Sequence, residues 1–136
     1  MPDEILFINK KVYVAMLDHV VRCLPEEGCG LIAGNENKAC RIFELENAKH
    51  SATEFMCEPI GMIKAFEVIE QSSMELIGIY HSHPNGLEQP SKKDLKDHSY
   101  GGVYLLIWSK MGNKWGMGCF FRINDDYEEI QWKLYK

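Results

Sequence analysis

Two histidines one residue apart, His81 and His83, follow an apolar run, Leu76-Ile77-Gly78-Ile79-Tyr80, that reads as a buried strand. On a strand, residues i and i+2 point to the same face, so both imidazoles converge on one point. A loop containing Pro, Asn and Gly then leads to Ser91 and, three residues later, to Asp94. Two imidazoles and a carboxylate form a three-ligand set that leaves a fourth position for water, the arrangement of a catalytic zinc site. Imidazole alone also suits copper, iron or nickel. Pro90-Ser91-x-x-Asp94 is at the same time a helix start, with Ser91 as N-cap and Asp94 in the first turn at the positive end of the helix dipole. Such a terminus holds a carboxylate in a fixed place, as a metal ligand requires. A hydrolytic zinc site also needs a base to take a proton from water. Glu26 and Glu27, where a helix hands over to a buried strand, are both candidates. The zincin pattern His-Glu-x-x-His is absent. So is the His-x-Glu with a later Pro-Cys-x-x-Cys of a nucleobase deaminase.

The elements that position these residues follow from periodicity. Ile5 to Ile8 suits a first or an edge strand. Val12, Met16, Leu17, Val20, Val21 and Leu24 recur at spacings of three and four, which predicts an amphipathic helix over 11–24, ended by Pro25. Gly28 to Gly34 reads as a fully buried strand and Ala39 to Leu45 as its hairpin partner across a turn at 35–38. Residues 47–55 are polar and irregular. A second helix starts at Glu58-Pro59, with an inward stripe expected at Ile60, Ile63, Phe66 and Ile69, and closes at Ser72-Ser73. After the histidine strand comes a short helix over about 91–98. A second central strand spans Val103 to Trp108, a hairpin at 111–114 returns through Trp115 to Ile123, and a last strand covers 127–135. Strands outnumber helices, so the expected class is α+β, a single layered domain over 1–136 with a mixed, mostly antiparallel sheet flanked by helices.

Composition excludes several functions. With 136 residues, 46% hydrophobic and 26% charged, the chain is an ordinary globular domain rather than a disordered segment. A net charge of −5 without a Lys/Arg-rich run speaks against nucleic-acid binding, and Lys92, Lys93 and Lys96 read as a solvated helix face. Five cysteines without a C-x-x-C pair fit neither a disulfide framework nor a zinc ribbon. The start, Met1-Pro2-Asp3-Glu4, lacks the features of a signal peptide, and no stretch reaches the ~18 to 20 apolar residues of a membrane span. The expectation is a cytoplasmic protein with free thiols.

His81-Ser82-His83-Pro84, seven residues, Ser91, two residues and Asp94 resemble the JAMM (MPN+) metalloprotease motif, His-x-His-x7-Ser-x2-Asp. Glu27-Gly28-Cys29-Gly30-Leu31-Ile32-Ala33-Gly34 is similar to the family's upstream glutamate and strand, which selects Glu27 over Glu26. The resemblance implies an MPN (cytidine-deaminase-like) fold and one zinc ion per chain held by His81, His83 and Asp94. It implies that Glu27 is the general base acting on a zinc-bound water and that Ser91 donates to the oxyanion. Ser82 would support the loop. With every ligand position filled, the resemblance points away from the non-catalytic scaffold branch. It implies a zinc-dependent peptidase or isopeptidase that cuts next to the C-terminal glycine of a ubiquitin-like or sulfur-carrier protein. The short stretch from Asp94 to Val103 leaves no room for the ubiquitin-holding insertions of the polyubiquitin-cleaving members, which points to the small bacterial and archaeal type. A Gly-Gly tail, being extended, is expected to add to a sheet edge near the site. A phage-tail or cell-wall peptidase of similar fold is the other hydrolase that fits.

Overall fold

The computed structural model describes residues 4–86, 90, 91, 94 and 102–136. Strand β1 (Leu6–Asn9) runs straight into helix α1 (Lys10–Cys23), where the Asn9 side chain caps the helix by accepting from the Lys11 N–H at 2.9 Å. The helix stops just before Leu24-Pro25, as the proline requires. Strands β2 (Cys29–Asn35) and β3 (Lys38–Leu45) form a hairpin. Its two turn residues, Glu36 and Asn37, have φ of 54° and 61°, the left-handed pair of a type I′ turn. Helix α2 (Pro59–Gln71) carries Pro59 in its first turn, and the Glu58 carboxylate accepts from the N–H groups of Ile60 and Gly61 at 2.8 and 2.9 Å. Strand β4 (Glu75–His83) follows. Then come β5 (Tyr104–Met111), β6 (Lys114–Ile123), β7 (Asp126–Glu129) and β8 (Trp132–Tyr135).

The eight described strands make one sheet in the order β7-β6-β5-β4-β2-β3-β1-β8. It is mixed, with β4–β5, β1–β3 and β1–β8 parallel and the other four described pairings antiparallel. Two residues link β7 to β8 although these lie at opposite ends of the strand order. The Ile130 N–H bonds to Cys119 O at 2.8 Å, and Gln131 O accepts from Leu6 N–H at 3.0 Å. The sheet is therefore strongly curled. Its concave face closes on α1 through Val12, Met16 and Val20, packed with Leu6, Ile8, Ile32, Leu106 and Trp108. Each such aliphatic side chain contributes about 1.5–3 kcal/mol by leaving water. The convex face carries Cys29, Leu31 and Ile79 under α2, and farther along Leu105, Ile107 and Phe120.

Four sequence expectations need correction. The first strand is not an edge, since β1 lies between β3 and β8. The segment 127–135 is two strands on opposite borders of the sheet rather than one. In α2 the inward residues are Ala65 and Ile69, while Ile60, Ile63 and Phe66 are 62%, 57% and 40% exposed. In α1, His19 takes an inward position and Val21 faces solvent. The short helix at 91–98 lies outside the described residues except for Ser91 and Asp94, of which Asp94 is helical.

Candidate functional site

Strand β4 acts as a ruler. Tyr80 belongs to the cluster on the concave side, Ile79 to the one on the convex side, and His81 and His83 share the face of Ile79. His81 sits opposite Cys29 of β2 and Ile107 of β5, fully buried, and His83 sits beside Ser109. The two rings lie 4.8 Å apart with their Nε2 atoms at 3.0 Å, the convergence expected of an i, i+2 pair. The Phe55 ring stacks on His81 at 4.1 Å, which fixes the imidazole plane.

Asp94 meets both histidines, Oδ1 at 3.2 Å from His81 Nε2 and Oδ2 at 3.2 Å from His83 Nε2. Burial by itself would raise its carboxyl. The bonds to His81 and His83, the charge on His81 and the Ser91 N–H outweigh burial and hold it far below the usual carboxylate range. Ser91 and Asp94 form a reciprocal cap: Ser91 N–H donates to Asp94 Oδ2 at 2.8 Å and Asp94 N–H donates to Ser91 Oγ at 3.1 Å. With Oγ accepting there, the Ser91 hydroxyl proton is left to donate.

Glu27 is buried and offers a carboxylate oxygen within 4.8 Å of one ring nitrogen of each histidine, a gap that one water spans. Its backbone is fixed from two sides. The N–H donates to Ser51 O at 2.7 Å and the carbonyl accepts from Asn47 Nδ2 at 3.0 Å. The next residue, Gly28, donates to Ser82 Oγ at 2.8 Å, so Ser82 ties the Glu27 segment to the histidine strand, the supporting part expected of it. Glu26 is directed elsewhere, with its carboxylate 3.4 Å from His50 Nδ1 at the surface.

The donor set fits zinc. In a tetrahedral site with Zn–N near 2.0–2.1 Å, neighbouring ligand atoms are about 3.3 Å apart. His81 Nε2 and His83 Nε2 are 3.0 Å apart, and each has one Asp94 oxygen at 3.2 Å, Oδ1 for His81 and Oδ2 for His83, spacings close to that value, with no thiolate among them. Beside this set opens a cleft of about 390 Å³, lined by Glu27, His83 and Ser91, by Ala52 and Thr53, and by Gly86. Gly86 is forced at its position, because a Cβ there would meet His83 Cβ at 2.9 Å.

All five expected residues, Glu27, His81, His83, Ser91 and Asp94, thus border one point. Among the described strands β4 is paired with β2 and β5 at His81, and the two borders of the sheet are β7 and β8.

Residues 9–123 match the family described as prokaryotic homologs of the JAB domain. The chain belongs to this family. Among its JAB-domain relatives are a probable TtuB-protein conjugate cleaving protease of Thermus thermophilus, 31% identical over 76% of this chain and 70% of that one, and a desampylase of Pyrococcus furiosus, 35% identical over 74% and 71%. A protein of Desulfitobacterium hafniense solved in solution superposes with a TM-score of 0.86 at 26% identity, covering 96% of this chain and 92% of that one. A JAB1/MPN domain protein from Archaeoglobus fulgidus shares the fold, with a TM-score of 0.61 at 23% identity over 95% and 98%. The chain is thus a small prokaryotic JAMM/MPN protein of α+β class. Two residues of this JAB domain that touch the site were not singled out from sequence, Asn47 and Phe55. Both lie in the polar stretch before α2, where a lone aromatic among polar neighbours was the available signal.

Proposed function

We propose that the chain is a zinc-dependent metallopeptidase or isopeptidase that cleaves next to the C-terminal glycine of a ubiquitin-like or sulfur-carrier protein. One zinc ion per chain is held by His81, His83 and Asp94, and residues 1–136 act as a single JAMM/MPN domain. The observation that carries the reading is the pair of imidazole nitrogens 3.0 Å apart, each 3.2 Å from an Asp94 carboxylate oxygen, beside a second, buried carboxylate on an open cleft. Zinc bound there supplies a Lewis acid that polarises the scissile carbonyl and acidifies water toward pKa ~7.

The chain's own groups do the rest. The Glu27 carboxylate takes the proton of the attacking water as its oxygen bonds to the carbonyl carbon, then passes that proton to the amine as the C–N bond breaks. The Ser91 hydroxyl donates to the developing oxyanion. The cleft walls at Ala52, Thr53 and Gly86 are small, which suits an extended glycine-ended tail. The names of the relatives, a protease cleaving TtuB–protein conjugates and a desampylase, support a protein-conjugate substrate. The five free cysteines support a reducing compartment such as the cytoplasm, and no described helix is long and apolar enough to cross a membrane.

The test is cleavage of a ubiquitin-like carrier bearing a C-terminal extension, with metal analysis alongside. One equivalent of zinc, loss of cleavage on chelation and recovery on adding zinc are expected. Glu27→Gln is expected to keep its zinc while turnover falls about 10²–10⁴-fold. Parental turnover by zinc-loaded Glu27→Gln overturns the base assignment. Intact carrier in the presence of bound zinc overturns the substrate class.

A further inference from the structure

Between β3 and α2 the chain makes a loop closed at its base. Asn47 and Cys57 form an antiparallel bridge, the Ala48 N–H donates to Met56 O at 2.8 Å, and the Glu58 N–H donates to Glu46 O at 2.9 Å. The buried Asn47 side chain fills the inside of this loop. Its Oδ1 accepts from the N–H groups of Lys49 and Met56 at 3.0 and 3.1 Å. Its Nδ2 donates to Glu27 O at 3.0 Å and to Glu54 O at 2.9 Å, with Ser51 O at 3.4 Å. Such a pattern needs two N–H donors and an acceptor on one short side chain. Asparagine supplies them, whereas aspartate has no donor and glutamine is a methylene longer.

The bonds reach the site in two directions. Toward β2, Asn47 and Ser51 together hold both backbone polar groups of Glu27. Within the loop, the bonds to Glu54 O and Met56 N–H bracket Phe55, whose ring lies on His81. Ala52 and Thr53, on the same loop, wall the cleft. We propose that Asn47 is a positioning residue that sets the Glu27 carboxylate against the histidine pair by fixing the Glu27 carbonyl and the loop that covers it. This rests on Glu27 being the base proposed above. A displacement of about 1 Å at a reacting group can lower a rate ~10²-fold, so the loss of this clamp is visible in turnover.

The test is a double-mutant cycle on the zinc-loaded protein. Asn47→Ala is expected to lower kcat about 10–100-fold, with KM changed less than about threefold and one zinc retained. In a Glu27→Gln background it is expected to cost less than about twofold, because the group it acts through is already gone. An equal loss in both backgrounds assigns Asn47 a purely structural role and overturns the proposal. Asn47→Asp keeps the acceptor for Lys49 and Met56 but lacks the donors, and recovery of kcat in that variant also overturns it.

Hydrogen exchange supplies a readout apart from activity. Asn47→Ala is expected to speed exchange of the Glu27 amide at least about tenfold while β4 stays protected. An unchanged Glu27 amide overturns the clamp whatever the rate does. Parental turnover by Glu27→Gln instead removes the base assignment, and the clamp is then judged on this exchange alone. In the unsubstituted protein, the Asn47 side-chain N–H protons are expected to exchange at least about tenfold more slowly than those of exposed Asn113. Equal rates there count against the proposal even if no Asn47 variant folds.

Discussion

The two sides of β4 each bury histidine chemistry, and they do opposite things with it. On the concave side His19 of α1 meets Tyr80, Nδ1 to Oη at 2.6 Å, inside the main core. On the convex side His81 and His83 meet each other and Asp94. The strand is the same and the burial comparable, but the partners differ. A phenol satisfies one imidazole nitrogen without charge, so His19 rests neutral. Burial pulls its pKa down, Glu44 and Asp18 at the surface raise it, and Arg22 lowers it, with burial prevailing. Where a buried carboxylate faces two ring nitrogens at once, the only stable outcomes are a charged cluster or a shared cation. The chemistry of a buried histidine is therefore set by the partners brought to it, and burial alone does not decide.

Breaking the convex side is expected to give the largest effects. His81→Ala should reduce bound zinc from one equivalent to below about a tenth and abolish cleavage, read by metal analysis and by assay without added zinc. Retention of full zinc would show that the ion sits elsewhere. Ser91→Ala should keep zinc and lower kcat about 10²–10³-fold, the loss seen when one oxyanion donor is removed. A drop confined to KM would instead assign the hydroxyl to ground-state binding.

The concave side should respond only in stability. His19→Ala leaves the Tyr80 hydroxyl buried without its partner and is expected to cost about 1–3 kcal/mol in denaturant unfolding, with zinc content and kcat unchanged. The dependence on pH has a definite sign. Because the folded state holds His19 below its ordinary 6.5, the unfolded chain takes up the proton first as pH falls. The parent accordingly loses stability on acidification through that region, and the gap between parent and His19→Ala should narrow from pH 7.5 to 5.5. A widening gap would mean that His19 is charged in the fold.

Most of the candidate site was legible because its residues are local in sequence: His81 and His83 are two apart on one strand, and Ser91 and Asp94 form one helix cap. The fifth residue, Glu27, is distant, and residue chemistry alone left it level with Glu26. The two are separated in space by which one turns inward before β2, a matter of tertiary packing. Asn47 was invisible for a related reason, since its importance lies in five backbone groups that only the folded loop brings around it.

The error in α2 has a simpler origin. A strict three-residue repeat falls about 60° short of a full turn at each step, so Ile60 and Ile69 stand about 180° apart and cannot share a face. Only the end of that stripe, Ile69, faces the sheet. The last strand was misread because Ile130, Trp132 and Leu134 alternate correctly while belonging to a chain that has already crossed from one border of the sheet to the other. Ile130 lies in the main core, although Trp132 and Leu134 belong to β8.

That crossing has a consequence for how the protein meets other chains, since any long bare strand border is a template for another chain. Here the two borders are four residues each, carry Asp126, Glu128, Glu129 and Lys133, and are drawn together by Ile130 and Gln131. The curl that shapes the core around α1 thus also leaves only short, charged borders on which another chain could pair.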